Sequence, residues 1–252
     1  MSASSSSSSS DGMRINKYIA HAGVCSRRDA DTLVEQGRVQ VDGHTVTQHG
    51  IRVHEGQRVT VDGEEVYPLE FEYILLNKPK DTISTTEDPK GRQTVLEAIG
   101  VPADNPSGLF PVGRLDRNTT GVLLVTNDGD LAHRLMHPRF EIPKIYYVRA
   151  QARVKPHQLD HLERGVELED GPAAADRVAY LDPTTKTDIA LELHEGRNRQ
   201  IRRMMEALGH DIVQLERAKY ADLSLGHLQR GDWRRLQPQE VRELYTSVDL
   251  TP

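Results

Sequence analysis

The stretch Gly113–Leu131, GRLDRNTTGVLLVTNDGDL, places one carboxylate between two arginines and just ahead of the apolar run Val122–Val125. The run reads as a buried strand, and the residues before it read as a loop held on that strand. An Asp in such a loop is ordinarily a turn or N-cap residue, because its side chain accepts local backbone hydrogen bonds. Asp116 also meets the requirements of a nucleophile. Arg114 and Arg117 on either side keep a partly desolvated carboxylate ionised, and the strand is a rigid support. A second source of cation lies downstream in Gly196–Met204, GRNRQIRRM, with four arginines in nine residues.

Working outward, YILL at 73–76 reads as a buried strand with Asn77-Lys78-Pro79-Lys80 as its exit, and NDGDL at 127–131 reads as a turn. KIYYVRAQA and TDIALELHEG read as further strands. RNRQIRRMMEALG reads as a helix stopped by Gly209. Its residues Ile201, Met204, Met205 and Leu208 fall on one face, and Arg199, Arg202 and Arg203 fall off it. Strands and helices mix without strict βαβ alternation, so the fold class is α+β.

The N-terminal part has a different pattern. Ile15, Tyr18, Ile19 and Ala22 have helical spacing, with Gly23 as the stop, and Ser26 caps a second helix with Asp29 at the capping-box position. Two Asp-Gly pairs, at 42–43 and 62–63, sit between alternating segments and predict tight hairpins. This is a small α+β module. The stretch Tyr67–Glu72 reads as a linker, giving domains at 13–68 and 69–252 behind a Ser-rich tail at 1–12 that cannot bury enough apolar surface to order itself.

The bulk properties exclude several function classes. The 252 residues carry a net charge of −6, which argues mildly against nucleic acid, although clustered arginines outweigh an overall balance. Cys25 is the single cysteine, so no intrachain disulfide forms, and no apolar run is long enough to span a bilayer. With no secretory pattern at the start, the expectation is a cytoplasmic protein. No phosphate-cradling or dinucleotide glycine motif is present. His133 and His137 have zinc-helix spacing, but Arg134 stands where that chemistry needs Glu, so no metal site is expected.

Four ordered segments carry a resemblance. PVGRLDRNTTGVLLVTNDGDLAHRLMHP, NKPKDTISTTEDPKGRQTV, PKIYYVRA and the region from LHEGRNRQIRRMMEALG to about Leu244 resemble bacterial rRNA pseudouridine synthases. The resembling subfamily joins an S4-like RNA-binding domain to a small catalytic domain, and RINKYIAHAGVCSRRDADTLVEQGRVQVDG resembles that S4-like domain. The resemblance implies a mostly antiparallel central sheet flanked by helices. It implies isomerisation of a uridine in ribosomal RNA, of the large rather than the small subunit, without cofactor or metal. The carboxylate beside the sugar–base junction falls on Asp116, attacking the sugar or assisting by another route. The base-stacking tyrosine falls on Tyr146, with Tyr147 as the neighbouring alternative that fills the core. The cation pairing with Asp116 falls on Arg202. RNA-facing candidates are Arg14, Lys17, Arg27, Arg28 and Arg38 in the small module. In the larger domain they are Lys78, Arg114, Arg197, Arg199 and Arg203, with Lys80 and Arg92 along the same track. The expected partner is ribosomal RNA, with a monomeric protein and no membrane. Two other readings stand beside this one, a non-catalytic ribosome-assembly factor and a glycoside hydrolase. The hydrolase needs a second carboxylate that the loop does not supply.

Overall fold

The computed structural model describes residues 12–251, so the Ser-rich tail lies outside the described residues except for Gly12. The chain forms two compact units. One runs to Phe71 and takes in Pro102–Gly108; the other comprises Glu72–Val101 and everything from Leu109.

In the first unit, β1 (Met13–Arg14) leads into α1 (Ile15–His21) and α2 (Arg27–Glu35). Then follow β2 (Val39–Val41), β3 (His44–Val46), β4 (Arg52–Val53), β5 (Val59–Val61) and β6 (Glu64–Glu65). Ile15 and Ile19 of α1 and Ala30 and Val34 of α2 close over the valines of β2 and β5. The Ser26 hydroxyl accepts the Asp29 amide at 3.2 Å and starts α2. Both Asp-Gly pairs adopt left-handed backbone, with φ of 51° and 78° at Asp42-Gly43 and 52° and 85° at Asp62-Gly63. That is the turn whose twist matches two antiparallel strands, and the resulting sheet has the order β3-β2-β5-β6.

The second unit contains β7 (Tyr73–Lys78), α3 (Val95–Ala98), β8 (Phe110–Pro111), β9 (Thr120–Thr126) and α4 (Gly129–Met136). It continues with β10 (Lys144–Ala150), α5 (Pro156–Arg164), β11 (Val166–Leu168), β12 (Gly171–Ala173), β13 (Arg177–Tyr180) and β14 (Asp188–Leu193). It ends with α6 (Gln200–Ala207), β15 (Ile212–Tyr220), β16 (Leu223–Ser224), β17 (Trp233–Arg235) and α7 (Pro238–Thr246). The main sheet has the order β13-β14-β10-β15-β9-β7-β17. Its pairs are antiparallel except β9 with β15, which run parallel.

Strand β9 is buried along its whole length and on both faces. Val122 and Leu124 pack with Leu131 and Leu135 of α4 and Leu244 of α7, while Leu123 and Val125 pack with Val95 and Leu96 of α3. This explains the apolar run without alternation. A separate core joins β10, β14 and β15 to α5 and α6, and the Ile201, Met204 and Met205 stripe lies in it. Gly121 is required where β9 meets β15. Its φ is +105°, and a Cβ there would stand 2.2 Å from the Arg217 carbonyl oxygen.

Three local expectations differ from the structure. The helix that follows the NDGDL turn begins inside it, at Gly129, because Asp128 Oδ1 accepts the amides of Asp130 and Leu131, each at 3.1 Å. Asn77 and Lys78 lie inside β7 rather than in its exit. Helix α6 starts at Gln200, and Arg199 before it has a left-handed φ of 50°. Among the described residues no helix is long and apolar enough to cross a membrane.

Candidate active site

The loop joining β8 to β9 carries Asp116, and its backbone is clamped from two sides. The Ser84 hydroxyl donates to the Leu115 carbonyl at 3.0 Å and accepts the Leu115 amide at 3.2 Å. From β7 the Lys78 ammonium donates to the carbonyls of Pro79, Asp116, Arg117 and Thr119 at 3.0–3.2 Å. Within the loop the Thr119 amide closes a turn onto the Asp116 carbonyl at 3.0 Å. These bonds leave the Asp116 carboxylate free of local backbone capping, so the ordinary turn role is carried by its main chain.

Lys78 has 0% exposure. Burial pushes its ammonium down to about 8, against the pull of the Asp116 and Asp81 carboxylates, and Arg230 pushes in the same direction as burial. Its expected RNA contact is therefore corrected. β7 extends two residues further than the apolar run indicates and carries Lys78 into the interior, where its donors hold the Asp116 loop.

Arg202, in the first turn of α6, brings Nε to 3.5 Å from Asp116 Oδ2. The Nε is buried and has no hydrogen-bond partner among the described residues. The contact is thus a Coulombic pair, and the Asp116 side chain keeps 35% exposure. Tyr146 of β10 lines the same small recess as Asp116 and Arg202. Tyr147 faces the other way and is exposed, not part of the core.

The recess opens into a cleft of about 920 Å³, within the size range of sites that enclose a small organic group. Arg114, Asp116 and Arg117 form one wall; Tyr146, Lys144 and Arg217 are among its other lining residues. Lys144 and Arg217 were not singled out from the sequence. Lys144 donates to the carbonyls of Ile142 and His194. Burial first, and Arg217 second, push it down to about 8. Arg217 is 3% exposed, and its Nε donates to the Val122 carbonyl at 2.8 Å. A lone Arg in QLERAKY carries no sequence signal that separates it from a solvated strand charge.

The remaining candidates fall into two groups. Arg114 and Arg199 are exposed at the cleft, with Arg199 3.8 Å from Glu206. Arg197 also lines it, but it is committed to the carbonyls of Gly171 and Pro172 at 3.1 and 2.6 Å. Arg203 forks onto both Asp170 oxygens at 2.8 and 3.1 Å. Arg92 pairs with Asp88 at 2.6 Å, and Lys80 is exposed. In the first unit Arg14, Arg27 and Arg28 are exposed, Lys17 is half-buried, and Arg38 pairs with Asp62 at 2.6 Å.

Residues 72–207 match the family described as RNA pseudouridylate synthase, and residues 13–59 match the S4 domain. The chain is 44% identical over 240 residues to ribosomal large subunit pseudouridine synthase B of Bacillus subtilis, covering 94% of this chain and 97% of that protein. It is 38% identical to a Yersinia pestis protein of the same name, over 95% of this chain and 77% of that one. Among solved structures it is similar to a pseudouridylate synthase, with a TM-score of 0.66 and 28% identity, covering 92% of this chain and 100% of the other.

Proposed function

Because the chain belongs to the RNA pseudouridylate synthase family and is a pseudouridine synthase, we propose that its substrate is a uridine of large-subunit ribosomal RNA, isomerised with Asp116 as the nucleophile. The observation that carries the assignment to Asp116 is its geometry. The carboxylate stands in the cleft on a loop fixed by Lys78 and Ser84, 3.5 Å from Arg202.

The substrate uridine is extruded from its stack at a cost of a few kcal/mol, and the cleft receives it. Heterolysis of the N1–C1′ bond leaves the electron pair on uracil, while the Asp116 carboxylate takes the anomeric carbon. The base turns, C5 bonds to C1′ and displaces Asp116, the C5 proton leaves, and N1 ends protonated. Reactant and product are isomers, so the step needs no oxidant or reductant. Arg202 pairs with Asp116 and holds the carboxylate in place, and Tyr146 stacks on the base. Arg114 grips the RNA backbone or fills the space the base leaves. The S4 unit, assigned to 13–68, docks structured RNA through Arg14, Arg27 and Arg28. The large-subunit assignment is supported by the two relatives named above.

The test is to incubate the protein with ribosomal RNA from a strain lacking its own copy and to map pseudouridines chemically. A new pseudouridine in large-subunit RNA that vanishes with Asp116→Asn is the expected result. Modification that survives the substitution removes Asp116 from the chemistry. Tight binding without modification makes the protein an RNA-binding factor. A site in small-subunit RNA corrects the substrate.

A further inference from the structure

Strands alternate, so residues an odd number apart point to opposite faces. Arg217 and Tyr220 are three apart in β15, yet the guanidinium carbon lies 4.7 Å from the centre of the Tyr220 ring. A bulge explains this. Ile145 of β10 is opposite Lys219, but Tyr146 is opposite Arg217, so Ala218 is the extra residue. Bulges beside functional sites re-aim side chains, and this one turns Arg217 onto the face that Tyr146, Lys144 and Tyr220 share in the cleft. Without the bulge, Ala218 would stand beside Tyr146.

The re-aimed guanidinium is only partly used. Its Nε is anchored on the Val122 carbonyl, its Nη2 is buried with no acceptor among the described residues, and no carboxylate pairs with it among them. An arginine has donors only and stays charged, so a buried donor left unmade is costly. A second, half-buried cation, Lys144, is near enough for Arg217 to disfavour its charge. Two mutually repelling cations on one cleft floor complement a negative charge that arrives there.

The proposed reaction creates such a charge. Breaking the N1–C1′ bond leaves uracil as an anion, its charge shared by the ring nitrogen and the carbonyl oxygens. We propose that Arg217 is a further binding residue of this site, its guanidinium facing a carbonyl oxygen of the uracil beside Tyr146 and stabilising the departing uracil anion. Backbone phosphates meet the exposed arginines at the mouth, whereas Arg217 is sunk in the floor. The inference rests on the reading of the cleft as the site of uridine isomerisation.

The test compares wild type, Arg217→Gln and Arg217→Lys in single-turnover reactions on the modified ribosomal RNA. Folding is checked by thermal melting, and RNA affinity is measured separately. Arg217→Gln is expected to slow the reaction on the order of 10²-fold, as loss of one donor to a developing anion does, with RNA affinity unchanged. Arg217→Lys, which keeps the cation, is expected to recover part of the rate. The discriminating arm uses a transcript containing 5-fluorouridine, whose base leaves as a more stable anion, and follows loss of the parent nucleoside. Fluorine is expected to narrow the gap between variant and wild type. An equal deficit on both transcripts overturns the proposal and leaves Arg217 as a sheet anchor, as does a folded Arg217→Gln with wild-type rate. If Arg217→Gln does not fold, the same comparison is made with Arg217→Lys, read the same way. A wild type that makes no pseudouridine overturns the underlying reading itself, which separates the two failures.

Discussion

The Lys78 ammonium lies 3.2 Å from the Asp116 carbonyl oxygen, so a cation buried in β7 fixes the main chain of the loop whose side chain faces the cleft. Lys78→Met removes the donor from four carbonyls at once. The expected outcome is a stability loss of about 1–3 kcal/mol. The rate should fall more steeply, on the order of 10²-fold, because small misplacements of a reacting group are amplified. Urea melts and single-turnover kinetics check the two numbers separately.

The same residue sets a pH dependence of known sign. Burial holds Lys78 at about 8 in the folded protein, below the value of about 10.4 in an unfolded chain. Between those values the unfolded state binds the extra proton, so this group makes stability rise with pH. Its cost is fully present below about pH 8. The stability of wild type relative to Lys78→Met should therefore increase from about pH 8 to about pH 10, by at most about 1.4 kcal/mol per pH unit. A flat difference would show that Lys78 titrates normally.

Arg202→Met leaves Asp116 without its cation. The pair is partly exposed, so stability is expected to change by less than about 1 kcal/mol. Catalysis is expected to fall on the order of 10²-fold or more, because the carboxylate loses the cation that holds it in place at the cleft. Denaturant melts and single-turnover kinetics check the two effects separately.

Tyr146 and Tyr147 are adjacent on β10 and face opposite ways, which makes a matched pair of variants. Tyr146→Ala should abolish most activity, while Tyr147→Ala should stay within about 0.5 kcal/mol of wild type in stability, as exposed surface substitutions do. Its rate should be unchanged. Equal effects would show that neither ring meets the base.

Gly121→Ala drives a methyl group to 2.2 Å from the Arg217 carbonyl oxygen at a φ of +105°. Both the clash and the strained backbone oppose it. A loss of more than about 3 kcal/mol is expected, measured by denaturant melting.

Much of the architecture follows from local sequence. Ser26 and Asp29 start a helix because a hydroxyl and an amide meet within one turn, and the Asp-Gly pairs turn because those residues tolerate left-handed backbone. The run Val122–Val125 announces a strand buried on both faces. Asp116, Tyr146 and Arg202 were legible as candidates because distinctive motifs surround each of them. The depth of Lys78 and the direction of Arg217 were not legible. A lysine after an apolar run looks like a solvated strand exit until the sheet register shows β7 continuing through it. Arg217 is placed by a bulge, which breaks the period of two on which every sequence reading of a strand depends. Local chemistry decided which residues were present and which short elements they formed. Only the pairing of strands distant in sequence decided which charges were buried, and thus which cations hold the loop and which face the cleft.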